Sequence, residues 1–270
     1  MKTRKSRRVV ILTALDLEYS AVREQLDGFT AYQHPAGTLF EIAGRPCCPK
    51  SIAIGVTGIG IPGAAVLTER AINVFQPEAL LFVGIAGALV DELALGDVVV
   101  ATKMYAFHGG KSQRGGFRAR PHAWDAPHRL EQLARHVART GAWNTGADSI
   151  GTPPTVHFKP MAAGDVILNS RTTTLARQIR RHYDDAAAIE MEGAGVAQAG
   201  HLNQALPVLI IRGIADRTDG EKYAADCTVH QRAAAVHAAR FAVSIASAII
   251  HDPLGSGLAT RSTDPIHLVS

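Results

Sequence analysis

The sequence predicts an α/β fold, a sheet covered by helices on both sides, and three observations predict it. Residues 8–14, 79–83 and 207–214 form runs that are apolar on successive positions rather than alternating. Runs of that kind suit strands buried on both faces. Stretches with helical spacing stand between them, and glycine-rich turns follow several of the strands.

In chain order, residues 8–14 read as the first strand, and 16–26 carry helical spacing through Leu17, Ala21, Val22 and Leu26. Residues 39–42 and 51–56 read as two further strands, the second running into a turn at 57–63. Residues 64–75 read as a helix with Val66, Ala71, Ile72 and Phe75 at its apolar positions. Residues 79–83 form a buried strand that stops at Gly84, and 97–101 another. Residues 129–139 are amphipathic and helical. Residues 159–163 and 187–190 read as short strands around a helical stretch at 173–182. A small-residue helix at 193–203, the apolar strand 207–214 and a long alanine-rich helix at 228–250 complete the series. The segment 105–124 has no convincing period. It reads as a long basic loop, with Lys111, Arg114, Arg118 and Arg120 among four glycines.

No internal repeat or interdomain linker is visible, so one domain is expected over residues 9–252, with a basic leader at 1–8 and a tail at 253–270. The 270 residues are enough to bury a sizeable core, and 47% hydrophobic with 19% charged residues is ordinary for a soluble globular chain. The net charge of +4 is concentrated in the leader, at Lys2, Arg4, Lys5, Arg7 and Arg8. The remainder is near neutral, which speaks against nucleic-acid binding over a whole face. The apolar run after the leader is short and ends at Asp16, so it reads as a strand and not as a signal peptide. No run approaches ~20 uninterrupted apolar residues, so no membrane span is expected. Cys47, Cys48 and Cys227 are few and odd in number, and the histidines show no metal-ligand spacing. A cytoplasmic protein without metal or cofactor is the expectation.

Carboxylates follow three of the apolar strands: Glu18 after the first, Glu190 and Glu192 after 186–189, and Asp216 after 207–214. Ligands of open α/β sheets bind at the carboxyl ends of strands, where converging acids suit proton transfer. Each acid reads equally well as a helix cap. A Rossmann dinucleotide site is disfavoured, because no G-x-G-x-x-G opens a helix after the first strand.

The stretch Ile189-Glu190-Met191-Glu192-Gly193, followed by Leu209-Ile210-Ile211-Arg212-Gly213-Ile214-Ala215-Asp216, resembles the nucleoside phosphorylase/nucleosidase superfamily. Within it the chain is most similar to the methylthioadenosine/S-adenosylhomocysteine nucleosidase branch. Thr13-Ala14-Leu15-Asp16-Leu17-Glu18, Thr57-Gly58-Ile59-Gly60, Gly84-Ile85-Ala86-Gly87-Ala88, Leu95-Gly96-Asp97-Val98-Val99-Val100 and Ala163-Gly164-Asp165 match its other landmarks in order.

The resemblance implies a single domain with a central mixed twisted sheet flanked by helices in three αβα layers. It implies cleavage of a purine N-glycosidic bond in a small-molecule nucleoside or nucleotide, adenine being the expected base. Asp216 would protonate the base and Glu18 would direct the attacking water. Glu192 would hold the ribose hydroxyls, Met191 and Glu190 would border the sugar, Ile167 and Leu168 would flank the base, and Ala86 and Gly87 would line the site. Phosphorylases of the superfamily carry arginines at the first and third glycine turns. Here those turns have none, and Glu18 would repel phosphate, so water is the expected nucleophile. Phosphorolysis and a catalytically inactive nucleotide-binding module are the alternatives. Ala215 replaces the family's usual serine, leaving Arg217, Thr218 or Asp219 to orient Asp216. Lys111, Arg118 and Arg120 offer forks for a 5′-phosphate, or else form a solvated run. The resemblance also implies a homodimer or higher homo-oligomer.

Overall fold

The computed structural model describes residues 7–44, 50–114, 116–144, 153–220 and 224–251. The leader through Ser6, Cys47, Cys48, Glu221, Lys222 and the tail from residue 252 lie outside them. The elements run β1 (Arg7–Thr13), α1 (Asp16–Arg23), β2 (Phe29–Gln33), β3 (Leu39–Ala43), β4 (Lys50–Val56), α2 (Ile61–Phe75), β5 (Ala79–Ala88) and β6 (Val98–Ala106). There follow β7 (Gly110–Gln113), β8 (Gly116–Ala119), β9 (His122–Asp125), α3 (His128–Thr140), β10 (Val156–Ala163), α4 (Thr174–His182), β11 (Ala188–Glu190), α5 (Gly193–Leu202), β12 (Val208–Asp216) and α6 (Ala224–His251).

The mixed sheet has the order β11-β10-β6-β12-β5-β1-β4-β3-β2, with β9 paired to β6. β1, β4, β5 and β12 run parallel, whereas β6 runs antiparallel to β12. One end of the sheet curls round. β5 is ten residues long, so it pairs with β12 through Gly87 and still has Gly87 and Ala88 to pair with β11. Register shifts in β10, between Lys159 and Met161, and in β12, between Ile214 and Asp216, supply the bend.

Alternation along the strands divides the core between two faces. Val10, Leu12, Leu80, Phe82 and Ile210 pack with Ala64, Ile72 and Phe75 of α2 and Val196 of α5. Val9, Ile11, Leu81, Val83, Leu209 and Ile211 pack with Val22 of α1, Leu130 and Ala134 of α3, and α6. A third cluster joins Ala176 and Ile179 of α4 to Leu168, Phe107 and Ile189. α4 begins at Thr173, whose hydroxyl accepts the Ala176 N–H at 3.1 Å. Among the described residues one stretch, Thr228–His251, is long and apolar enough to cross a membrane by length and composition. Here its Ala234, Ala238, Phe241, Ala242 and Ile245 are completely buried inside the domain.

The structure departs from the sequence expectation in several places, and β5, expected to stop at Gly84, runs on to Ala88. β2 was not expected, because its residues are mostly exposed and carry little apolar signal. The supposed loop 105–124 instead holds the end of β6, the β7–β8 hairpin and β9. β6 and β10 are also longer than expected, since their polar ends are fixed by backbone pairing rather than by burial.

α6 lies close against β12 because Gly213 has no side chain. A β-carbon there would stand 2.0 Å from the carbonyl oxygen of Ala234. Gly213→Ala is expected to cost at least about 1–3 kcal/mol in urea unfolding. An unchanged midpoint would contradict this docking of α6.

Candidate functional site

The carboxyl ends of β1, β5, β11 and β12 meet at a pocket of about 220 Å³. Glu18, Ile85, Ala86, Gly87, Ile167, Leu168, Glu190, Met191, Glu192 and Asp216 are among its walls.

Glu18 lies in the first turn of α1 and is buried. Its Oε2 accepts N–H groups from Ala14 at 2.8 Å and Leu15 at 2.9 Å, and its Oε1 accepts that of Ile85 at 2.8 Å. The helix-cap reading and the pocket reading are therefore both correct for this residue, because the cap faces the cavity. Burial is the largest influence on its carboxyl and raises its pKa, against the pull of Arg212 and of the three N–H groups.

β11 ends at Glu190, and α5 starts directly after Glu192. The Glu190 carboxylate accepts the N–H groups of Glu192 and Gly193 and pairs with the Arg212 guanidinium. Those bonds make Glu190 a scaffold for α5 and Arg212 rather than an open acceptor for a ligand. Glu192 reaches the other way. Its Oε1 accepts the Gly60 N–H at 3.0 Å, and its Oε2 stands 3.7 Å from Arg212 Nη2. Burial pushes its carboxyl up to about 7, with Arg212 lowering it and Glu190 adding to the rise.

Arg212 is 0% exposed. It lies over the Phe82 ring at 4.2 Å and beside Gly84. A β-carbon on Gly84 would come within 2.0 Å of Arg212 Nη1 and 2.3 Å of Glu18 Oε1, so both groups crowd the space that the glycine leaves. Among the described residues, Nε and Nη1 of Arg212 have no hydrogen-bond partner. Three glutamates, Glu18, Glu190 and Glu192, thus surround one cation at the pocket floor.

Asp216 lines the pocket from the end of β12, just past the register shift in that strand. Its Oδ1 accepts the Thr218 N–H at 2.9 Å. Thr218 was one of the expected substitutes for the missing serine, and it acts here through its backbone. Its hydroxyl donates instead to the Ala88 carbonyl. Leu168 is buried, whereas Ile167 is 69% exposed at the rim, near exposed Ile59 and Val166. Asp165, just before these residues, accepts the Ile61 N–H at 2.8 Å and so ties the rim to the start of α2.

Lys111, Arg118 and Arg120 do not line this pocket. They lie exposed on or just after the β7–β8 hairpin, with Lys111 directly across from Arg118. A larger recess of about 460 Å³, between β9 and α5, is lined by none of Glu18, Glu190, Glu192 and Asp216. Sequence reasoning did not assign roles to Arg212, Asp165 or the Thr218 backbone. Arg212 had a signal, being the one charge inside the apolar run 208–214. The other two depend on contacts between distant loops.

A family model described as the phosphorylase superfamily matches residues 8–250. The chain is 30% identical over 198 residues to a 5′-methylthioadenosine/S-adenosylhomocysteine nucleosidase of Maridesulfovibrio salexigens, covering 72% of this chain and 80% of the relative. It is 26% identical over 253 residues to the ATP nucleosidase Cap17 of Escherichia coli, covering 84% of this chain and 49% of the relative. The solved 5′-methylthioadenosine/S-adenosylhomocysteine nucleosidase of Neisseria meningitidis, in complex with methylthio-immucillin-A, superimposes with a TM-score of 0.73 at 24% identity, over 88% of this chain and 98% of that one. Futalosine hydrolase of Helicobacter pylori gives a TM-score of 0.76 at 22% identity, over 91% and 99%. At such identities the two structures speak for the fold.

Replacing Arg212 by Met is expected to cost about 3–5 kcal/mol at pH 8, because three buried carboxylates lose their cation. Without it the folded-state pKa values of Glu18 and Glu192, already raised by burial, move further above the unfolded ones. The protonated state is then the stable one, and stability is lost as pH rises through the folded values. Urea unfolding at pH 5 is thus expected to show a smaller deficit than at pH 8. Equal deficits at the two pH values would contradict this account.

Proposed function

Because the chain belongs to the phosphorylase superfamily, we propose that it is a purine nucleosidase, hydrolysing the N-glycosidic bond of an adenine nucleoside. The observation that carries this reading is the gathering of four acids at one pocket. Glu18, Glu190 and Glu192 are grouped around the buried Arg212, and Asp216 lines the same pocket from the end of β12.

The chemistry follows from that gathering. Asp216 gives its proton to N7 of the purine, the C1′–N9 electron pair moves into the base, and neutral adenine leaves. The ribosyl group acquires oxocarbenium character above the carboxylates, which stabilise developing positive charge in a site of low dielectric. Water adds to C1′, and Glu18 accepts its proton. Burial suits Glu18 to that task, since a raised pKa makes a carboxylate a better base near neutral pH. Glu192 accepts hydrogen bonds from the ribose hydroxyls.

The same group of glutamates disfavours inorganic phosphate as nucleophile, which supports hydrolysis over phosphorolysis. The joint presence of acid, base and sugar-binding carboxylate disfavours a binding-only role. Leu15, Ile59, Val166 and Ile167 give the pocket apolar side chains, and none of its described lining residues is a lysine or arginine. That composition supports an uncharged 5′ substituent, a thioether or hydroxyl, over the phosphates implied by likeness to an ATP nucleosidase. Val66 of α2 and Leu202 of α5 expose apolar surface, and this supports the expected homodimer. A cytoplasmic setting is retained as an expectation.

Methylthioadenosine, adenosylhomocysteine, adenosine, AMP and ATP are to be compared by release of free adenine. The thioethers or adenosine are expected to lead, and preference for ATP would overturn the assignment at the 5′ end. Asp216→Asn should lower kcat by about 10²–10⁴-fold, and near-normal turnover would remove Asp216 from the mechanism.

The pH profile tests Glu192. Ionised, it accepts charge-assisted bonds from the sugar that the protonated carboxyl cannot match, so kcat/KM should fall as pH drops through about 7. Glu192→Gln should be slower and should lack that limb. A limb that persists unchanged in the variant would assign it to another group.

A further inference from the structure

The acid and the purine must meet in a fixed geometry, yet Asp216 stands where β12 gives way to a loop. Two residues on, Thr218 holds it from a backbone conformation that threonine rarely adopts, with φ +49° and 1% exposure. A β-branched residue there is strained by roughly 1–3 kcal/mol, and such a conformation persists only where the surroundings over-determine it. Arg171 contributes to those surroundings through both its side chain and its backbone.

Arg171 Nε donates to the Thr218 hydroxyl at 3.2 Å, and its backbone N–H donates to the Thr218 carbonyl at 2.8 Å. Nη2 donates to the Ala88 carbonyl at 3.2 Å, and Nη1 pairs with Asp91. The Thr218 hydroxyl in turn donates to that same Ala88 carbonyl at 2.6 Å. Gly87 closes the arrangement from below. A β-carbon there would lie 2.6 Å from Thr218 Cγ2 and 3.0 Å from Asp216 Oδ1. Arg171 also lies three residues beyond Leu168, on the loop that borders the purine, and its neighbour Ser170 forms a bridge with Asp219.

We propose that Arg171 is a positioning residue for the general acid. It locks Thr218 in the left-handed conformation that aims Asp216, and it joins the acid's loop to the purine-bordering loop. The proposal rests on the nucleosidase reading above. Arg171 touches neither substrate nor reacting atoms, and its effect passes through Thr218. Ala215, which carries no hydroxyl, leaves this chain more dependent on that route. Asp91 completes the clamp from the solvent side, its side chain being 97% exposed.

The leaving group provides the test. Adenine needs a proton to depart, whereas 4-nitrophenolate does not, so a 4-nitrophenyl riboside reports on everything except the acid. For Arg171→Met, kcat for adenine release should fall about 10- to 100-fold, the scale of misplacing a reacting group by about an ångström. KM should change little, and turnover of the nitrophenyl riboside should stay within about threefold of wild type, the acid's share having been removed. Arg171→Lys should recover part of the loss. Circular dichroism confirms that the variants are folded.

An equal fall on both substrates would reduce Arg171 to a structural role, and no fall on adenine release would dismiss it; either overturns the proposal. Asp216→Asn, run alongside, separates the two levels. If it is inactive on purines while Arg171→Met is normal, only the positioning role fails. If wild type releases no base from any purine nucleoside, the nucleosidase reading fails and takes this one with it.

Discussion

The guanidinium of Arg212 has no exposed surface, and three glutamates from two other parts of the chain are arranged around it. A charge so placed is tolerated only if its partners come with it, since losing one of them leaves an uncompensated ion in the interior. The neighbouring backbone is built to that requirement. Gly84 leaves room for Arg212 and Glu18 to approach, Phe82 offers its ring face, and Glu190 caps α5 while pairing with the cation. Glu192 carries the connection across to Gly60 and the start of α2. A well-packed apolar cluster would stabilise the fold as well or better. The ionic cluster is therefore better explained by what it does at the pocket floor.

The two chemical halves of the pocket are stabilised by separate means. Glu18, Glu190 and Glu192 are buried and held through Arg212 and backbone N–H groups. Asp216 is partly exposed and depends on a loop whose shape comes from Thr218, Arg171 and Ala88. The divide also concerns access, because Ile167 and Ile59 at the rim are exposed to solvent while the glutamates are buried.

Much of this was legible in the sequence where burial alone determines the pattern. The runs at β1, β5 and β12 are apolar because both sheet faces are covered, and the acids at their ends mark the pocket. Glu18, Glu192 and Asp216 were recognisable on those grounds and by resemblance. What stayed hidden is set by pairing at a distance. β2 is a solvated edge with no apolar signature, and the β7–β8 hairpin is held by cross-strand bonds between polar residues. Lys111, Arg118 and Arg120 looked like phosphate ligands by composition, but the hairpin carries them away from the pocket. Arg171 carries no local mark at all. Its importance comes from a threonine 47 positions later, held in a conformation that sequence does not announce.

The carboxylate at Glu18 has a thermodynamic consequence as well as a kinetic one. Phosphorolysis of a nucleoside is readily reversible, because the sugar phosphate it forms keeps an activated anomeric carbon. Hydrolysis yields a free sugar and runs essentially one way. A pocket that admits water and repels phosphate therefore cannot rebuild nucleosides from bases, however much base accumulates. Its flux is also insulated from changes in the cell's phosphate supply. On the proposed mechanism, one buried acid at the end of the first strand would make the protein a drain on its substrate rather than a participant in an exchange.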